Sequence, residues 1–99
     1  MIYTDTISVE PRQGSSAYGP KFGAAVTYQA RVEQVQRRVT NAQGEEVVAS
    51  LLALVEPKAS IHAGDRVTHN GARYEVVSAE PLRCWKSVHH VECYLIGAV

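Results

Sequence analysis

The run "HAGDRVTHNGARYEVVSAEP", residues 62–81, constrains this chain more than any other stretch. Asn70-Gly71 stands between two short alternating runs, and that dipeptide suits a two-residue type I′ loop, in which both central residues need positive φ. The loop fixes a register: His69 opposite Ala72, Thr68 opposite Arg73, Val67 opposite Tyr74 and Arg66 opposite Glu75. Val67 and Tyr74 then share the core-facing side, while Arg66 and Glu75 make an opposite-charge pair on the outer one. Gly64-Asp65 supplies the turn into this hairpin, and Glu80-Pro81 ends it.

Other segments carry the same two-residue period. Residues 2–9, "IYTDTISV", are rich in β-formers and stop before Glu10-Pro11. Val26, Tyr28, Ala30 and Val32 alternate onto one face, and the apolar set then changes parity to Val35 and Val39. A bulge near Glu33 or Gln34 accounts for that switch. "NAQG", residues 41–44, fits a type I turn with Gly44 in the left-handed position. Behind it, in "EEVVASLLALVEP", Val48, Leu51, Leu52 and Val55 fit a helical stripe, but the β-branched content and the turn at Gly44 favour a strand. A last strand, residues 88–96, places Val91, Cys93 and Leu95 on one face. The expectation is an all-β chain of 99 residues forming one domain. It is a small β-barrel or sandwich of five to six mainly antiparallel strands. An extended hairpin arm covers residues 25–55, and a long flexible loop covers 11–23.

Three sets of residues stand out as working surfaces. The segment "PRQGSSAYGPKFG" mixes glycine and proline with aromatics, and long loops of this kind tend to be functional or disordered. Tyr18 and Phe22 can dock it on a partner, and Arg12 and Lys21 can meet phosphates weakly. If residues 46–55 form a strand, Val47, Ala49, Leu51, Ala53 and Val55 line one face, and Val48, Leu52 and Leu54 the other. A strand apolar on both faces must be covered on both, and a neighbouring subunit is the expected second cover. The arm's tip carries Arg37, Arg38, Asn41, Gly44 and Glu45, with cross-strand ion pairs between Arg37-Arg38 and Glu45-Glu46 as their expected use.

Composition excludes several functions. Ten Lys+Arg balance ten Asp+Glu, so the chain lacks the excess of basic charge that tight nonspecific DNA binding requires. No apolar run approaches the ~18–20 residues of a membrane span, and "MIYTDTISVEP" lacks the charged and apolar parts of a signal peptide. The expectation is a soluble protein made in a cytoplasm. Serines sit in no nucleophile elbow and no glycine run has phosphate-loop or dinucleotide spacing, so neither enzymatic activity nor a cofactor is expected. His62, His69, His89, His90, Cys84 and Cys93 lack zinc-site spacing, and no metal is expected. Cys84 and Cys93 read as reduced thiols. His90 and Glu92 read as solvent-facing partners, with His89 at the core's edge.

Taken in order, the "YGPKFG" loop, the strand "VTYQARVEQVQRRVTNAQGEEVVAS", the "IHAGDRVTHNGARYEVVSAEP" hairpin and the closing "HHVECYLI" resemble the small head-tail connector or head-closure (stopper) proteins of long-tailed bacteriophages. Where many of these have a Gly- or Asp-rich turn before the final strand, this chain has "LRCWKS". The resemblance implies a structural virion protein of the neck, assembled in the host bacterial cytoplasm, and a β-barrel with extended loops. It implies a homo-oligomeric ring, six- or twelve-fold, between portal or adaptor proteins and the tail-terminator or tail-tube proteins. A loop of each copy would narrow the channel around packaged DNA without reading its sequence. The alternatives are a tail-terminator or tail-completion protein, and a small OB- or SH3-like nucleic-acid-binding module.

Overall fold

The computed structural model describes residues 3–84 and 87–97, with Ser16, Arg83, Cys84, Ser87 and Val88 described by their backbone alone. Its strands are β1 (Asp5–Glu10), β2 (Arg12–Ser16), β3 (Gly19–Phe22), β4 (Val26–Thr40), β5 (Glu46–Val55), β6 (Arg66–His69), β7 (Ala72–Cys84) and β8 (Ser87–Gly97). Six of them close into an antiparallel barrel in the order β1-β4-β5-β8-β7-β6, and β2 and β3 form a separate two-stranded sheet. The fold is all-β, as expected.

The two strands beyond the expected five to six are β2 and β3, which lie inside the segment read as a loop. Arg12 pairs with Phe22, Ser15 with Pro20 and Ser16 with Gly19. This hairpin has no alternating apolar face to betray it, and Gly14 and Gly19 both adopt positive φ. Residues 46–55, ambiguous between helix and strand, are β5. Ala49, Leu51, Ala53 and Val55 face inward, and Val48, Leu52 and Leu54 face outward.

The core is built from narrow side chains. Ile7 and Val9 of β1, Ala30 of β4, Ala53 and Val55 of β5, Val67 of β6, Val76 of β7, and Cys93 and Leu95 of β8 are all buried. Alanines and β-branched residues suit a six-stranded barrel, whose interior has room for little more than its own side chains.

The β6–β7 register is the one that Asn70-Gly71 implies, from Arg66 opposite Glu75 to His69 opposite Ala72. Asn70 has φ 50° and Gly71 φ 82°, as the loop type demands. β7 does not end at Pro81 but runs on to Cys84, with Pro81 opposite Val91. β6 stops pairing at Glu75, so this part of β7 is an edge, where a strand tolerates proline.

The β4–β5 hairpin extends past the barrel. β1 pairs with β4 up to Ala30, and β8 pairs with β5 from Leu51 onward. Further out, the two strands pair with each other and form an arm. A register shift between Gln34 and Arg37 is the bulge that the parity change required, slightly beyond Glu33 and Gln34. At the tip, the Gly44 N–H donates to the Asn41 carbonyl at 3.0 Å. The Asn41 side-chain oxygen accepts from the N–H groups of Gln43 and Glu45 at 3.0 and 2.9 Å.

Candidate functional site

Two surfaces and one seam hold the side chains that the barrel itself does not use. The first surface is the β2–β3 hairpin. Asp65 is buried, and its carboxyl oxygens accept from the backbone N–H groups of Arg12 and His62, each at 2.9 Å. One aspartate thereby ties the base of the hairpin to the turn that precedes β6. Beside it the Arg66 guanidinium lies 4.1 Å from the centre of the Phe22 ring, a cation–π distance. It also donates to both carboxylate oxygens of Glu10 at 3.0 and 2.9 Å.

The expected Arg66–Glu75 pair is therefore not the one Arg66 makes. Glu75 and Glu10 both stand opposite Arg66, one on β7 and one on β1, and the fork–fork geometry goes to Glu10. That bond holds the Glu10 carboxyl below its ordinary range and Arg66 above its own. Of the four loop residues singled out, Arg12 and Phe22 anchor the hairpin's base. Tyr18 stands fully exposed in the turn between β2 and β3, and Lys21 is exposed on β3.

The second surface is the outside of β5 and the arm. Val48 is 53% exposed, and Leu52 and Leu54 are half-buried. Tyr94 stands opposite Leu52, and Glu92 opposite Leu54. The Arg37 guanidinium donates to the Tyr94 hydroxyl at 2.7 Å and lies 5.3 Å from the ring centre. This corrects the expected ion pairs at the tip. The turn at the tip sets a register with Glu46 opposite Thr40, Arg38 opposite Val48 and Arg37 opposite Ala49, and the bulge lies beyond them toward the barrel. Asn41, Gly44 and Glu45 build the turn. Tyr94 is the residue sequence reasoning missed here, because the β5–β8 pairing that sets it opposite Leu52 joins segments far apart in sequence and no local pattern announces it.

The histidines divide differently from the expectation. His90 is buried and His89 exposed, so His90 is not a solvent-facing partner of Glu92. The two do approach, with Nε2 of His90 3.4 Å from a Glu92 carboxylate oxygen. Leu82 pairs with His90 and Arg83 with Val88, so β8 carries His89 as an extra, unpaired residue, and strict alternation does not hold where His89 is exposed and both His90 and Val91 are buried. Among the described residues no group of three or more His, Cys, Asp or Glu could hold a metal ion; the Cys84 side chain, Trp85 and Lys86 lie outside them. Cys93 is fully buried, and burial, aided by the charge of Asp65, pushes its thiol up to about 12.

The seam is where β1 meets β6. Beyond its last register pair, Nε2 of His69 lies 3.7 Å from Oδ1 of Asp5, without a hydrogen-bond partner. The other oxygen of Asp5 accepts from the Val32 N–H at 3.0 Å. That bond, then His69, holds the Asp5 carboxyl below its ordinary range.

No protein-family model matches the chain, and no curated protein matches it in sequence. In fold it is similar to a solved structure, the phage-like element PBSX protein xkdH from Bacillus subtilis. The likeness covers 94% of this chain and 92% of that one, at 13% identity and a TM-score of 0.55. The two chains share a fold along nearly their whole lengths.

Proposed function

We propose that this protein is a structural component of a phage or prophage particle, placed in the neck as a ring between portal or adaptor and tail. The reading rests above all on the fold shared end to end with a protein of a phage-like element. Two features of the chain support it. An arm and a separate hairpin project from a closed barrel, and an apolar strip on the outside of β5 is available for a neighbouring copy.

In this role Val48, Leu52 and Leu54 meet the adjoining subunit. The β2–β3 hairpin, with Arg12, Tyr18, Lys21 and Phe22, faces the channel or the next ring. With ten charges of each sign, the chain meets packaged DNA without a strongly basic surface, so contact restrains the DNA and does not read its sequence. The test replaces residues 13–19 with a short turn in the phage that carries this gene. The expected outcome is filled heads that leak DNA or fail to join tails. Infectious particles in normal yield would overturn the channel role, and normal heads with tails of irregular length would move the protein to the tail terminus.

A further inference from the structure

The barrel closes through its shortest ladder. β1 and β6 share three register pairs, Ser8 with Thr68, Val9 with Val67 and Glu10 with Arg66. Every other seam of the barrel has more. A short ladder with few rungs is where a closed sheet opens first. One end of this seam is fastened by the Glu10–Arg66 fork, whose charges persist across the neutral range. At the other end stand Asp5 and His69, 3.7 Å apart, with the side chains 31% and 14% exposed.

That second end is unfinished with the imidazole neutral. Nε2 of His69 is buried and has no hydrogen-bond partner, and a largely buried polar atom left unpaired costs stability. Protonation gives the ring a second N–H, with a carboxylate oxygen just beyond hydrogen-bond distance. We propose that Asp5 and His69 form a protonation-controlled clasp on the β1–β6 seam. It governs how readily β1, and the β2–β3 hairpin that follows it, separates from β6.

The surroundings leave this pair in charge. Asp5 is the charged group that faces His69 from β1. The cleft beside the ring is lined by Val32 and Gln34 of β4, Leu51 of β5 and Tyr74 of β7, with no Asp, Glu, Lys, Arg or further His among them. The sign follows. The attraction to the Asp5 carboxylate, 3.7 Å away, exists only while the ring carries its proton, so the clasp contributes on the acid side. Its contribution is lost as the pH rises through the histidine range. It is also lost in strong acid, once Asp5 itself is protonated below the ordinary carboxylate range.

Hydrogen exchange on the full-length chain tests this, with protection compared at about pH 5.5 and about pH 8 after correction for intrinsic rates. Amides of Ser8–Glu10 and Arg66–Thr68 should be about two- to fivefold better protected at the lower pH, while those of the β7–β8 ladder are not. Asp5→Asn keeps an oxygen for the Val32 N–H but removes the charge, and should abolish the difference. His69→Gln should do the same, and His90→Gln should leave it intact. A pH dependence unchanged in both Asp5→Asn and His69→Gln, or better protection at high pH, would overturn the proposal. If both variants unfold, the wild-type protein decides. At the lower pH, nuclear magnetic resonance should show a slowly exchanging ring N–H at Nε2 of His69, and its absence would overturn the clasp.

Discussion

At the scale of single residues, the polar side chains that matter most join parts of the chain far apart in sequence. Asp65 accepts from the Arg12 N–H, fifty-three positions away, and Arg66 reaches Glu10 across fifty-six. Asp65→Ala leaves two backbone N–H groups without their acceptor in a part-buried place. It should lower stability by about 1–3 kcal/mol in denaturant titration, with the exchange protection of the Arg12 amide lost first. Cys93 tests the interior. With its thiol pushed up to about 12 by burial, it should resist a disulfide reagent in the native chain and react once the chain is unfolded. Such details were not legible in the sequence. Asp65 reads as a turn residue beside Gly64, and nothing local announces that its second oxygen holds a strand from the other half of the chain.

At the scale of elements, legibility follows locality. The β6–β7 register could be derived residue by residue because Asn70-Gly71 leaves one loop geometry and the loop leaves one pairing. Gly71 sits at φ 82° with no atom within 4 Å of where a Cβ would stand. The cost of Gly71→Ala is therefore conformational alone, about 1–2 kcal/mol, and should appear as a lower midpoint of thermal unfolding with the fold unchanged. The parity change in β4 announced a bulge, and the apolar spacing of β5 left helix and strand open until its pairing with β4 and β8 decided it. β2 and β3 escaped notice for a physical reason. A two-stranded sheet tied down at its base, with its tip in solvent, needs no apolar period, and the glycines and prolines that shape it are those of an ordinary loop. His90 escaped because β8 itself carries an extra residue, His89, against β7, and an expectation of strict alternation has no place for it.

At the scale of the whole molecule, the barrel and its projections divide the work: the barrel buries the core, and the outside of β5 remains available. Leu52→Asp places a charge on that exterior and leaves the core residues Leu51 and Ala53 in place. The purified variant should melt as a folded monomer and fail to assemble, as light scattering coupled to size-exclusion chromatography would show. Loss of the fold instead would assign Leu52 to the barrel's own stability. The connectivity of the barrel carries a consequence for how it comes into being. Adjacent strands joined by a turn, β4 with β5 and β6 with β7, bring nearby residues together, and such local pairs form early. β1 borders β4 and β6, so its second edge waits until the chain beyond residue 66 has taken shape. The barrel strand that is earliest in sequence is thus the last to be enclosed. Pulse-labelled exchange during refolding should record the β1–β6 amides as the slowest to gain protection, and the wait is longest for a nascent chain whose synthesis stalls before Arg66.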